Sequence, residues 1–127
     1  MKVGVPRETL PGERRVAATP DSVKKLVKLG FDVIIEHDAG LFAGFDDASY
    51  GAAGATLADR ARTWSSAIIA KVRPPDDDEV ARLTAGQTII SYLYPAFNTD
   101  LLGKLSARGV SALGMDQVPR ITRAQKV

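Results

Sequence analysis

The chain reads as an α/β protein built on a doubly wound parallel sheet of about five strands. Three observations carry that expectation. Short apolar runs alternate with amphipathic stretches from one end to the other, the rhythm of repeated strand and helix units. Two of the runs, Ile68-Ile69-Ala70 and Ile89-Ile90, are apolar on successive residues, as strands covered by helices on both faces must be. The stretches between the runs carry helix start and stop residues.

The strands are expected at Lys2 to Pro6, Asp32 to Glu36, Ala67 to Val72, Thr88 to Leu93 and Val110 to Asp116. After the first of them, Thr19-Pro20-Asp21 supplies an N-cap, a proline at the first helical position and an acid at the positive end of the helix dipole. Val23, Leu26 and Val27 give that helix an apolar stripe and Gly30 a stop. Shorter helices are expected near Asp46 to Ala53, Leu57 to Trp64 and Asp76 to Leu83. The last helix opens at Asn98-Thr99-Asp100, runs through Leu101, Leu102 and Leu105, and ends at Gly109.

A chain of 127 residues with 45% hydrophobic content suffices for one domain, which buries roughly two-thirds of its unfolded surface. Its 17 basic and 15 acidic side chains are interspersed, so no strong field draws it to nucleic acid or a membrane surface. The absence of cysteine excludes disulfides and thiolate metal sites, and no apolar leader follows Met1, which points to the cytosol. No apolar run approaches the roughly 20 residues that span a bilayer, so a membrane link would run through another chain or segment.

Few residues carry obvious chemistry. The single histidine, His37, has no His or Cys partner for a metal site, and no Gly-x-Ser-x-Gly elbow accompanies it. Neither Gly-x-Gly-x-x-Gly nor a phosphate-loop motif is present, so nothing here cradles a pyrophosphate. Gly40 to Phe45 reads as a turn in which glycine permits positive φ and Phe42 and Phe45 find packing. Arg73-Pro74-Pro75-Asp76-Asp77-Asp78-Glu79 reads as a loop and a solvated helix start, without chemistry.

Three places at strand ends are more informative, because ligands of open α/β sheets bind outside the carboxyl ends of the strands. Arg14-Arg15 follows the first strand and can hold a carboxylate or phosphate bidentately. Lys71 ends the third apolar run, where it either snorkels to solvent or lines the cleft. The closing stretch, Met115 to Val127, is a strand end and a proline-stiffened turn followed by clustered Arg, Gln and Lys.

The words Met1-Lys2-Val3-Gly4-Val5-Pro6-Arg7-Glu8, Pro11-Gly12-Glu13-Arg14-Arg15-Val16-Ala17 and Thr19-Pro20 resemble the N-terminal domain shared by alanine dehydrogenases and the alpha subunit of proton-translocating NAD(P) transhydrogenases. Ala39-Gly40, Gly44-Phe45, Tyr50 and Gly54-Ala55 extend the match, which covers essentially the whole chain. Two places separate the relatives. Tyr94 stands where alanine dehydrogenases place a histidine that acts on the keto acid with an arginine and a lysine; Arg15 and Lys71 match those two cations. The stretch Val118-Pro119-Arg120-Ile121-Thr122-Arg123-Ala124-Gln125-Lys126 resembles the transhydrogenase cofactor loop almost word for word.

The resemblance implies a flavodoxin-like first half of a two-part domain over residues 1–127, with the NAD-binding Rossmann half following it and absent from this stretch. It implies that Arg120, Ile121 and Thr122 lie against the nicotinamide end of NAD(H). Gln125 would then reach as a catalytic group toward NADP(H) on a partner domain, while the loop's aspartate falls beyond Val127. Arg15 and Lys71 become inherited pocket residues that hold the cleft's shape or a carboxylate pair, and Tyr94 replaces the histidine in that pocket. The implied activity is hydride transfer between NAD(H) and NADP(H), coupled to proton translocation. The implied assembly is a homodimer joined by an NADP-binding beta subunit and a membrane domain, placed in the cytoplasm at the inner membrane. Two other readings stay open: an alanine-dehydrogenase-like oxidoreductase, and a non-catalytic assembly module.

Overall fold

A computed structural model describes residues 1–117. It contains six strands, β1 (Lys2–Val5), β2 (Asp32–Glu36), β3 (Thr56–Ala58), β4 (Ile68–Ala70), β5 (Thr88–Ser91) and β6 (Ser111–Gly114). The helices are α1 (Pro20–Lys28), α2 (Asp47–Ala52), α3 (Arg60–Trp64), α4 (Asp77–Arg82) and α5 (Thr99–Ala107). All five strand pairings are parallel, in the order β3-β2-β1-β4-β5-β6. The five expected strands thus form a 2-1-3-4-5 arrangement, the flavodoxin-like order, and β3 adds a short edge.

That edge strand corrects the reading of Leu57 to Trp64 as one helix. Thr56–Ala58 pairs with Ile34, Ile35 and Glu36, and α3 starts only after Asp59, whose carboxylate accepts the Arg62 N–H at 2.8 Å. A three-residue strand is too short to show a period of two, so only the cap marked the boundary. The other starts behave as their residues dictate. Thr19 and Ser22 form a capping box on α1, and Asp76 and Glu79 form one on α4.

The sheet divides the core into two clusters. Val5, Val33, Ile35 and Tyr50 pack with Val23 of α1 on one face. Trp64, Ile69, Ile89, Leu83 and Leu105 pack beneath α3, α4 and α5 on the other. In the turn after β2, Gly44 takes φ +91°, while Gly40 is required for a different reason: a Cβ there would lie 2.6 Å from the Tyr50 ring and hydroxyl. Phe45 meets Tyr50 edge-on at 6.3 Å, but Phe42 is 64% exposed, with Arg14 5.8 Å above its ring. Only one of the two aromatics finds core packing.

Candidate functional site at the carboxyl edge of the sheet

The loop that leaves β1 crosses the carboxyl ends of the neighbouring strands and is fastened there by two glutamates. Glu8 accepts the backbone N–H groups of Val72 (2.8 Å) and Arg73 (3.0 Å) and the Lys71 ammonium (3.0 Å). Glu13 accepts the backbone N–H and side-chain Nε of Arg15 on one oxygen, and Arg15 Nη2 and Arg73 Nε on the other, all within 3.0 Å. The Arg15 hydrogen bonds hold the Glu13 carboxyl well below the usual carboxylate range, against the opposing pull of burial. The same contact raises the Arg15 guanidinium further above its ordinary value.

Lys71 does not snorkel. Its side chain is 1% exposed, and its ammonium meets Glu8, the Arg73 carbonyl at 2.8 Å and Glu79 at 3.6 Å. Two of the ammonium's three donors are taken by Glu8 and the Arg73 carbonyl, and Glu79 completes the site as an ion-pair partner beyond hydrogen-bond distance. Glu79 turns its other oxygen to Arg60 at 3.0 Å, and Arg60 reaches Glu36 at 3.2 Å. Burial pulls the Arg60 guanidinium down, but its contacts with Glu79 and Glu36 outweigh that and leave it raised. The result is a chain of alternating charge, Glu8, Lys71, Glu79, Arg60 and Glu36, under the carboxyl edge, buried except at the half-buried Arg60.

Glu79 corrects the reading of residues 73–79 as a solvated helix start. Asp77 and Asp78 are solvated, whereas the Glu79 side chain is 1% exposed and holds two cations. As an acid in the first turn of a helix, Glu79 needed no partner beyond the helix dipole; in the structure it also accepts the Asp76 N–H at 3.0 Å. Glu36 and Arg60 carried no motif, and Glu8 stood in the family-like opening word without a role, because long-range ion pairs leave no local spacing in a sequence. His37 stands apart, exposed after β2, with its Nδ1 3.0 Å from Asp47.

Two clefts open beside this cluster. One, of about 470 Å³, is lined by Arg15, Val16, Lys71, Ile90, Tyr92 and Met115. The other, of about 320 Å³, is lined by Leu10, Lys71, Arg73, Glu79 and Tyr94. The structure therefore brings Arg15, Lys71 and Tyr94 to one edge, with Lys71 between the clefts. Tyr94 sits at φ +48°, which is rare for a side chain of its size, and stacks on Tyr92 at 6.2 Å. Asp116 accepts both the Leu93 N–H (3.1 Å) and the Tyr94 N–H (2.8 Å), and these bonds, Leu93 first, lower its carboxyl. Arg120, Ile121, Thr122 and Gln125 lie outside the described residues.

The arrangement offers an open crevice rimmed by cations that are already paired, with aromatic rings on one wall. His37, the single imidazole of residues 1–127, is not among the residues that line either cleft.

Comparison with known proteins bears on the fold and the family. The family model described as alanine dehydrogenase/PNT, N-terminal domain, matches residues 4–127. An NAD(P) transhydrogenase subunit alpha of Haemophilus influenzae is 49% identical over 98% of this chain and 24% of its own length. An alanine dehydrogenase of Halomonas elongata is 44% identical over 93% of this chain and 32% of its own. The solved transhydrogenase of Sinorhizobium meliloti superposes with a TM-score of 0.94 at 37% identity, over 98% of this chain and 38% of the other. The chain thus spans about a quarter of the transhydrogenase subunit and about a third of the alanine dehydrogenase that it matches. With a family model matching residues 4–127 and a fold that superposes on the solved relative, the chain belongs to the alanine dehydrogenase/PNT N-terminal domain family.

Proposed function

We propose that this chain is the first α/β half of an NAD(P) transhydrogenase alpha subunit, acting in hydride transfer between NAD(H) and NADP(H). The observation that carries the reading is the crevice itself. Tyr94, not an imidazole, stands beside Lys71, and both Lys71 and Arg15 are engaged by glutamates. Oxidising an amino acid requires a base for the amine proton and free cations for the carboxylate. Hydride transfer between two nicotinamides moves a hydrogen and its electron pair from ring to ring, so that NADH and NADP⁺ give NAD⁺ and NADPH with no proton released. It asks the protein for positioning and donors to fix carboxamide and ribose groups.

In this reading, residues 118–127 form the cofactor loop, with Arg120, Ile121 and Thr122 against the nicotinamide end of NAD(H) and Gln125 directed to NADP(H). The dinucleotide phosphates are held by a following Rossmann half, since residues 1–127 carry no glycine fingerprint for them. NADP(H) is presented by a beta subunit. A membrane domain supplies the proton path; no described helix of this chain is long and apolar enough to cross a membrane. The subunit pairs as a homodimer on the cytoplasmic side of the inner membrane.

The amino-acid reading has one observation of its own, the meeting of Arg15 and Lys71 at one cleft. An assay decides between them. The complete subunit with its NADP-binding partner should reduce NADP⁺ from NADH and should not reduce NAD⁺ with alanine. Alanine-dependent NAD⁺ reduction without transhydrogenation would overturn the proposal.

A further inference from the structure

We propose that the exposed ring of Phe42, with Leu41 and Arg14 beside it, is the docking point for the protein that brings the second nucleotide to the crevice. The inference rests on the hydride-transfer reading, in which that protein is the NADP-binding partner. A single exposed aromatic residue is ordinary on a protein surface. This one is presented by a turn built to hold it. Between Glu36 and Phe45, the backbone N–H groups of Ala39, Leu41, Ala43, Gly44 and Phe45 all donate to carbonyls of the same stretch, at 2.9–3.2 Å. Asp38 and Gly44 are held at φ +64° and +91°, and Asp47 accepts the Asp38 N–H at 2.9 Å. Positive φ at a residue other than glycine persists only where the surroundings enforce it. Leu41 and Phe42, 54% and 64% exposed, therefore stand out from a stiff backbone. A side chain displayed in this way loses little freedom when a partner covers it.

Position and charge select the partner. The Arg14 guanidinium lies 5.8 Å from the centre of the Phe42 ring, and the next residue, Arg15, lines the larger cleft. The patch thus abuts the crevice at the carboxyl edge of the sheet. A protein that lays a second nicotinamide against the first must come in over this edge. Arg7, whose N–H is bonded to Glu36 at the root of the turn, and Arg14 are both exposed, and neither makes an ion pair among the described residues. Two of the turn's three acids are engaged, Asp46 in capping α2 and Asp47 with Asp38 and His37. Free guanidinium groups around an exposed ring fit a partner surface with an apolar spot rimmed by carboxylates.

The test measures the dissociation constant between the complete subunit and its NADP-binding partner for Phe42→Ser, Phe42→Tyr and Arg14→Ala. Phe42→Ser should weaken the complex about ten- to thirtyfold, as loss of an interfacial anchor does, and Phe42→Tyr, which keeps the ring, should bind as the native subunit does. Arg14→Ala, which leaves the turn intact, should flatten the salt dependence of the association rate. The NADH dissociation constant and the mass by light scattering should match the native subunit in all three. Equal partner affinity in the native subunit and Phe42→Ser would overturn the docking point. So would weakened NADH binding with partner affinity kept, which assigns the patch to the following half of the subunit, or a changed oligomeric mass, which assigns it to a second copy. A native subunit that neither binds the partner nor transfers hydride would overturn the functional reading, and this inference with it, so the native control tells the two failures apart.

Discussion

Lys71→Met tests the buried charge chain most severely. The substitution keeps the length of the side chain but removes the cation that Glu8 and Glu79 share, where all three side chains are at most 2% exposed. Removing one partner of a buried ion pair costs about 3–5 kcal/mol, because the remaining charge is left in a medium that solvates it poorly. Here the loss should fall at the lower end, about 3 kcal/mol. Glu8 keeps two backbone N–H donors, and Glu79 keeps Arg60 at 3.0 Å. Against a domain stability of about 5–15 kcal/mol that is a large fraction, and it corresponds to a midpoint lowered by about 10–15 °C. Urea unfolding followed by Trp64 fluorescence reads it directly, Trp64 being the only tryptophan and 1% exposed. Lys71→Met combined with Glu79→Gln should lose less than the sum of the single substitutions, since the two groups touch. A loss below about 1 kcal/mol, the range of solvent-exposed pairs, would refute the claim that this cluster is sealed from water.

Further substitutions probe other links. Gly4→Ala in β1 places a Cβ 2.3 Å from the Thr63 carbonyl oxygen and 2.7 Å from Ser66 Oγ, so α3 must shift; a loss of about 3 kcal/mol in urea unfolding is expected. Tyr50→Phe deletes the 2.7 Å hydrogen bond to the Ala18 carbonyl and should cost about 1–2 kcal/mol. Burial, aided by Asp47, pushes the Tyr50 hydroxyl up to about 12, so its phenolate absorbance should appear only near that pH or after unfolding. Glu13 gives an acid dependence with a definite sign. Its folded pKa lies below the ordinary value of 4.5, so its stabilisation is full above that value and fades as pH falls below it. Stability should decline more steeply below pH 4.5 in the native protein than in Glu13→Gln, and parallel curves would contradict the role given to Arg15.

Local chemistry made much of this fold legible. The caps at Thr19, Asp46 and Asp76 and the paired isoleucines of β4 and β5 announce their elements in a few neighbouring residues. β3 escaped because three residues carry no periodicity, and its partner β2 lies some twenty residues earlier in the chain. The cations of the site were legible by position, Arg15 and Lys71 standing at strand ends. Their partners were not. Glu8 and Lys71 are 63 residues apart, and nothing in either neighbourhood announces the pairing. Glu79 was hidden for the opposite reason, since its place among the acids of the first turn of α4 was sufficient to explain it. Tyr94 was identified as a departure from the amino-acid enzymes, but its positive φ and its clamp by Asp116 depend on β5 and β6 meeting in the sheet.

The central claim is that this domain serves transfer of hydride between nucleotides and not proton-linked oxidation of an amino acid. Deuterium placed on the transferable C4 position of NADH tests it most directly, with the complete subunit, its NADP-binding partner and NADP⁺, and with pyruvate and ammonium present as competitors. The account predicts the label in NADPH, retained without exchange with water and absent from alanine. Label in alanine, with none in NADPH, would contradict it.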